Sequence, residues 1–330
     1  MIIPVLLFIL GLAFLIKGGD LFVDGSVGVA HKFGVPELII GATVVSIGTT
    51  LPEVMVSASS ALGGHGEIAY GNAIGSIICN TSLIAALTIA IKPPRLDPKT
   101  LRVPVFFFFV SAVIYSAVAY TVGRFDRLVG IAFLLLFAAY MILTVRRARS
   151  QPEPDVCGQD EADEPDEKGG EAPHRTAVDV IQLVAGAVLI AVGADLLVDN
   201  GIIIAGALGV PESVIALTFV ALGTSLPELV TAVTSLLKGH GSLSLGNIIG
   251  ANFFNLVLVS GVSTVLSPFA VPESRTVFGV NASLAVDIPV MLIVMAVLSL
   301  PALIRGRLTR AQGIGLLAVY AAFSVFQFFG

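Results

Sequence analysis

Charge is the first thing this sequence lacks. Only 12% of its 330 residues are charged and 56% are hydrophobic, with mean hydropathy +0.96, against about 25% charged in an ordinary soluble domain. So few charges cannot cover a water-soluble globule of this length. Cysteine is scarce too, with two residues, which excludes a disulfide scaffold. Cys79 sits in an apolar run and Cys157 among acids, so the two are not expected to pair. No basic arm or aromatic-interleaved basic patch is present, which excludes a nucleic-acid footprint. The apolar run Ile2 to Ile16 has no basic segment before it and no small-residue cleavage site after it. It reads as a retained first span rather than a removed signal peptide.

The charges that are present are unevenly placed. The net charge of -5 comes from residues 151–173, which hold Glu153, Asp155, Asp160, Glu161, Asp163, Glu164, Asp166, Glu167 and Glu171 against the single base Lys168. That stretch is also rich in Pro and Gly and has almost no large apolar residue, so it reads as a solvated linker. No calcium-loop pattern of the D-x-[DN]-x-[DN]-G kind occurs in it. The rest of the chain is slightly basic.

Apolar windows of about 20 residues mark membrane spans. Ten are expected, at residues 2–19, 37–62, 69–91, 102–122, 127–146, 177–198, 212–237, 243–266, 281–304 and 311–329. Lysine and arginine stay on the cytoplasmic side. With the N-terminus outside, the inner loops carry Lys17, Lys32, Lys92, Arg95, Lys99, Arg102, Arg146, Arg147, Arg149, Lys168, Arg175, Lys238, Arg305, Arg307 and Arg310, and the outer loops only Arg124, Arg127 and Arg275. One missed span would invert every later loop, so this asymmetry supports the count. It also puts both termini outside and the acidic linker in the cytoplasm.

The chain repeats itself. Gly34-Val35-Pro36-Glu37 returns as Gly209-Val210-Pro211-Glu212, and Gly48-Thr49-Thr50-Leu51-Pro52-Glu53 as Gly223-Thr224-Ser225-Leu226-Pro227-Glu228. Gly64-His65-Gly66 pairs with Gly239-His240-Gly241, Gly71-Asn72 with Gly246-Asn247, Gly75 with Gly250, Asn80 with Asn255, and Asp20 and Asp24 with Asp195 and Asp199. All these pairs share the spacing of 175 that separates Glu53 from Glu228, without a gap. The expected organisation is a five-span unit over 1–146, an acidic linker over 147–176 and a second five-span unit over 177–330. An odd number of spans per unit gives the copies opposite topology, a build in which secondary transporters place their site at the midplane between repeats.

Proline lacks an N–H and clashes with the preceding turn, so the second span of each copy is expected to kink or break at the Leu-Pro-Glu step and free carbonyls at membrane depth. Such carbonyls are tolerated where they are buried in protein or line a cavity. Glu53 and Glu228 stand at that step, where an ionisable group costs at least about 2.5 kcal/mol and is retained for a use. Ser46, Thr49 and Thr50 share a helical face with Glu53; Ala221, Thr224 and Ser225 repeat the arrangement with Glu228. Ser76 and Asn80 lie one turn apart in the next span, as do Ala251 and Asn255. Carboxylates, hydroxyls, amide oxygens and backbone carbonyls form an all-oxygen set, suited to a hard cation and not to zinc or copper. Two carboxylates give a charge of -2, matching one calcium ion, with sodium ions or protons as competitors. The glycines read as packing residues, His65 and His240 as turn residues, and the four aspartates as anchors at helix ends.

These paired motifs resemble the two alpha-repeats of the calcium/cation antiporter superfamily, and in particular its prokaryotic sodium/calcium exchangers. The resemblance spans nearly the whole chain. It implies an all-α polytopic membrane protein of ten helices in two inverted five-helix repeats, with spans two, three, seven and eight around the ions. It also implies exchange of calcium for sodium by alternating access, with spans one and six sliding past a rigid core in the plasma membrane of a prokaryote. Carried over, the resemblance implies calcium on Glu53 and Glu228 with the carbonyls of Thr49 and Thr224. Sodium would use Ser46, Thr49, Thr50, Glu53, Ser76, Asn80, Ala221, Thr224, Ser225, Glu228 and Asn255. No enzyme activity, cofactor or obligate protein partner is implied; the partners are the two ions and the bilayer. Three positions depart from the pattern: Asn255 where relatives have Asp, Ala251 where they have a serine ligand, and Ile77 where an Asn is usual, kept as Asn252 in the second copy. Asn255 argues against potassium co-transport. The counter-ion stays open between sodium and protons, and a passive cation channel is the reading from another class.

Overall fold

The computed structural model describes residues 2–94, 96–150, 176–208, 223–272, 276–277 and 279–329. The acidic stretch, Ala221 and the Gly-Val-Pro-Glu copy at 209–212 lie outside the described residues. The described chain is mostly helical. The helices are α1 (Ile2–Lys32), α2 (Glu37–Leu62), α3 (Gly66–Ile91), α4 (Pro98–Thr121), α5 (Arg127–Ser150), α6 (Thr176–Ala207), α7 (Leu226–Leu237), α8 (Gly241–Leu266), α9 (Ser283–Arg305) and α10 (Arg310–Phe329). Among the described residues, eight helices are long and apolar enough to cross a membrane.

Local chemistry sets several ends. Asp97 caps α4, its Oδ1 accepting from the Lys99 N–H at 3.0 Å with Pro98 in the first turn. Gly306 closes α9 at φ 63°, a conformation glycine adopts without a Cβ penalty. The turns before α3 and α8 are the same in both copies. Gly64 and Gly239 each have φ 85°, and the His65 and His240 N–H groups donate to the Ser60 and Ser235 carbonyls, each at 2.8 Å.

Burial divides the helices into a centre and a periphery. In the apolar windows of α8 and α3, 83% and 72% of residues are buried, against 22% in α1, α5 and α6. The centre is thus α3 and α8, packed with α2 and α7. α1 and α6 lie against each other along their length. A methyl group placed on Gly11 would meet the Gly193 carbonyl at 2.9 Å, one on Gly18 the Gly186 carbonyl at 3.0 Å, and one on Gly25 the Asp179 carbonyl at 2.5 Å. The partners descend in number along α6 as they ascend along α1, so the two helices run antiparallel. Close backbone approach through small residues is how helices associate in lipid, where apolar burial drives nothing. Gly246 and Gly250 do the same for α8, with Leu38 and Ala42 of α2 as the neighbours.

Two expectations are corrected. The first and sixth spans do not stop near 19 and 198; α1 continues to Lys32 and α6 to Ala207. A charge ends an apolar window without ending a helix, because its backbone hydrogen bonds are internal. Nor does the second span break at Pro52: α2 runs on through it. Its irregularity lies upstream, a π-helical turn at Gly41–Val45. Side chains cap the carbonyls loosened there. Ser46 Oγ donates to the Gly41 carbonyl at 2.7 Å, and the Tyr140 hydroxyl of α5 donates to the Ala42 carbonyl at 2.8 Å. In the second copy the expected break is present: Thr224 and Ser225 form a turn and α7 starts at Leu226.

Candidate functional site

The central residues come from four elements. On α2, Ser46, Thr49, Thr50 and Glu53 are buried, the face anticipated from their spacing, and Ser57 is buried with them. Ser225 and Glu228 are buried at the start of α7, and Thr224 is half-buried beside them. Ser76 and Asn80 are buried on α3, and Ala251 and Asn255 on α8. Asn80 and Asn255 each open a π-helical turn, at Asn80–Ala85 and Asn255–Val259, an irregularity common at functional sites.

Glu53 and Glu228 are both fully buried. Among the described residues, neither oxygen of either carboxylate has a partner at hydrogen-bond geometry. The same holds for the hydroxyls of Thr50 and Ser225 and both amide atoms of Asn80 and Asn255. These groups form three pairs related by the repeat: Thr50 with Ser225, Glu53 with Glu228, Asn80 with Asn255. Burying a polar group without a partner costs about 1 to 3 kcal/mol, and more when it is charged. A symmetric set of such groups fits a cation that supplies the missing contact. The donor set is all oxygen, and no cluster of three or more His, Cys, Asp and Glu exists among the described residues.

Ser46 is committed differently. Besides the Gly41 contact, its hydroxyl reaches the Asn247 carbonyl at 2.9 Å. Ala221 lies outside the described residues. Sequence reasoning missed Asn72 and Asn247. Thr224 Oγ1 donates to Asn72 Oδ1 at 3.4 Å, and Thr49 Oγ1 donates to Asn247 Oδ1 at 3.2 Å. The two contacts are each other's image at the repeat spacing. Asn72 Nδ2 also donates to Ser57 Oγ at 2.8 Å and to the Glu53 carbonyl at 3.3 Å. The signal available was the recurrence of Gly-Asn at the common spacing; nothing in it disclosed that each asparagine reaches the other copy.

Three polar groups set aside as turn and end residues, His240, Asp20 and Asp24, have partners. His240 Nδ1 lies 2.8 Å from Glu37 Oε1, and Ser242 Oγ donates to Glu37 Oε2 at 2.9 Å, tying the start of α8 to the start of α2. Lys238 Nζ meets Asp24 Oδ1 at 2.8 Å and Asp20 Oδ1 at 3.3 Å, tying the end of α7 to α1. Burial lowers the Lys238 pKa, the Asp24 and Asp20 contacts raise it, and the balance lies above the ordinary lysine value. A small crevice of about 10 Å³ lies between the outer pair α1/α6 and the centre, lined by Phe22, Gly48, Thr49, Pro52, Ala187, Ile190, Ala191 and Pro227. That is space for about one water.

A polytopic membrane protein built around paired buried carboxylates falls in the class of ion-transport proteins. Comparison with known proteins narrows the class. The profile of the sodium/calcium exchanger protein family matches residues 3–146 and 178–329. Inner membrane protein YrbG of Escherichia coli is 36% identical over 270 residues, 81% of each chain. Sodium/calcium exchanger MaX1 of Methanosarcina acetivorans is 30% identical over 357 aligned positions, 98% of each chain. A solved structure of the sodium-calcium exchanger NCX_Mj, soaked with sodium and calcium, superposes with a TM-score of 0.78 at 31% identity, covering 100% of this chain and 99% of that one. The chain belongs to the sodium/calcium exchanger family. It is a multi-pass plasma-membrane protein that exchanges cations by antiport, and not an enzyme.

Proposed function

We propose that the chain exchanges calcium for sodium by alternating access, with both ions bound between Glu53 and Glu228 at the membrane midplane. The observation that carries this reading is the set of buried polar groups without hydrogen-bond partners among the described residues, paired by the repeat, that includes both carboxylates. One calcium neutralises the charge of -2. The carbonyls of Thr49 and Thr224 complete its shell, and sodium uses the oxygens of Ser46, Thr49, Thr50, Ser76, Asn80, Ala221, Thr224, Ser225 and Asn255 around the same glutamates. The names of MaX1 and NCX_Mj, both sodium/calcium exchangers, support the choice of ions.

The reading includes ten spans in two inverted five-helix units, 1–146 and 177–330, joined by the cytoplasmic linker 147–176 with both termini outside. The antiparallel glycine contacts between α1 and α6 support the inversion, since Gly11–Gly193 and Gly18–Gly186 exchange under the repeat spacing. The positive-charge asymmetry supports the orientation. α1 and α6 then move as a smooth pair across the crevice at Thr49 and Pro52, exposing the centre to one side at a time.

The test is sodium-gradient-driven calcium-45 uptake into proteoliposomes. Uptake with sodium, and none when potassium replaces it, is the expected result. Uptake driven by a pH step without sodium would instead make the protein a calcium/proton antiporter, and flux without any counter-ion gradient would make it a channel.

A further inference from the structure

We infer that Asn72 and Asn247 are positioning residues for sodium, each fixing the hydroxyl of the threonine that the opposite copy contributes to the centre. The inference rests on the site proposed above and adds to it the part played by two side chains that complete no ion shell themselves.

The orientation of Asn72 follows from its neighbours. The Glu53 carbonyl can only accept, so the amide nitrogen of Asn72 must face it, and Ser57 Oγ takes the second N–H. The amide oxygen is thereby turned to Thr224. Thr224 donates its only hydroxyl proton to that oxygen, and the lone pairs of Oγ1 are left for a cation. In the other copy Thr49 Oγ1 makes the equivalent contact to Asn247 Oδ1 at 3.2 Å, with the Ser46 carbonyl as a second acceptor at 3.5 Å. A free hydroxyl would rotate and present its proton to the ion for part of the time. Asn72 therefore converts an adaptable hydroxyl into a fixed acceptor, and Asn247 biases the Thr49 hydroxyl in the same sense.

The two clamps differ in strength for a reason visible in the sequence. Ser57 is replaced at the repeat-related position by Ala232. Asn247 Nδ2 is buried without a hydrogen-bond partner, so Asn247 is held chiefly through the Thr49 contact and Asn72 through three. The two ions should also feel the clamps unequally. Calcium is held foremost by the two carboxylates, whereas sodium, with half the charge, depends more on neutral oxygen dipoles.

The experiment measures half-saturating sodium and half-saturating calcium in proteoliposomes for Asn72→Ala, Thr224→Val and the double variant, with the matching Asn247→Ala and Thr49→Val set. Asn72→Ala should raise half-saturating sodium about fivefold, the worth of one hydrogen bond, and half-saturating calcium less than twofold. Adding it to Thr224→Val should cost nothing more, because the two removals break one contact. Thr224→Ser, which keeps the hydroxyl, should retain the sodium dependence that Thr224→Val loses; this arm survives even if Asn72→Ala does not fold. Additive effects, equal shifts for both ions, or an unchanged sodium dependence in Thr224→Val would each overturn the inference. Loss of exchange in Glu53→Gln together with any of these would sink the inference alone, whereas wild-type exchange in Glu53→Gln would sink the site itself.

Discussion

Gly-Thr-x-Leu-Pro-Glu occurs twice with the same proline and the same glutamate, yet on different backbones. Pro52 lies inside a continuous helix, while Pro227 lies in the first turn of a new one after a turn at Thr224 and Ser225. The motif therefore permits a break without dictating it. In the first copy the segment before Pro52 is held against α8: a methyl on Gly41 would collide with the Leu243 carbonyl, and Ser46 Oγ lies 2.9 Å from the Asn247 carbonyl. That packing keeps the helix on course past a residue whose ring and missing N–H cost about 3 kcal/mol in a helix interior. At a first helical turn the same residue costs little, since its N–H would have no partner there.

If the two backbones nonetheless deliver equivalent carboxylates, Glu53→Gln and Glu228→Gln should each abolish exchange, by about 100-fold or more, since removing one member of a buried charged cluster is among the costliest changes. Initial rates of sodium-driven calcium-45 uptake decide this. One variant retaining wild-type rate would mean that the copies are not functionally equivalent.

The next effect belongs to close packing. Gly186→Ala would drive a methyl into the Phe22 backbone nitrogen, and backbone cannot yield as a side-chain tip does. Its thermal midpoint in detergent should fall, corresponding to about 1 to 3 kcal/mol of overpacking, and exchange should slow with it. A similar loss should follow Gly246→Ala, whose methyl would collide with the Leu38 carbonyl.

The prolines themselves test the comparison. Pro52→Ala restores an N–H that can bond the Gly48 carbonyl, so it should raise the thermal midpoint and slow exchange; Pro227→Ala should leave the midpoint nearly unchanged. The gain at Pro52 is at most about 3 kcal/mol. Equal shifts in the two variants would show that the continuous and broken forms are alternative states of one element rather than fixed features of each copy.

What the sequence disclosed follows the same division. Spacing along one helix was readable: the face of Ser46, Thr49, Thr50 and Glu53 is buried as a 3.6-residue period requires. Repetition was readable as well, and it paired Glu53 with Glu228 and Asn80 with Asn255 before any coordinates. Contacts between residues some 200 positions apart were not, because a pattern along one helix carries no information about which neighbour meets it. Hence Asn247 against Thr49, His240 against Glu37 and Lys238 against Asp24 emerge only from the packing. The continuity of α2 through Pro52 was hidden for the same reason.

The smallest expected effect concerns a contact that only one copy has. Lys238 pairs with Asp20 and Asp24 of α1, but the repeat-related position is Gly63, so among the described residues no ion pair of this kind forms at Asp195 and Asp199 on α6. A half-exposed pair contributes about 1 kcal/mol or less and is screened by salt. Because the lysine pKa is raised on folding, the contribution is complete below the unfolded lysine value and is lost only as pH climbs through the higher folded one. Lys238→Ala should therefore lower the thermal midpoint slightly at pH 7 and low salt, and the gap from wild type should close at high salt or in strong alkali, not in the neutral range. Placing a lysine at Gly63 probes the other side of the asymmetry. If the ion pair restrains α1, Gly63→Lys should restrain α6 likewise and slow exchange, and Lys238→Ala should quicken it; opposite signs in the flux assay would leave the pair with no part in the motion.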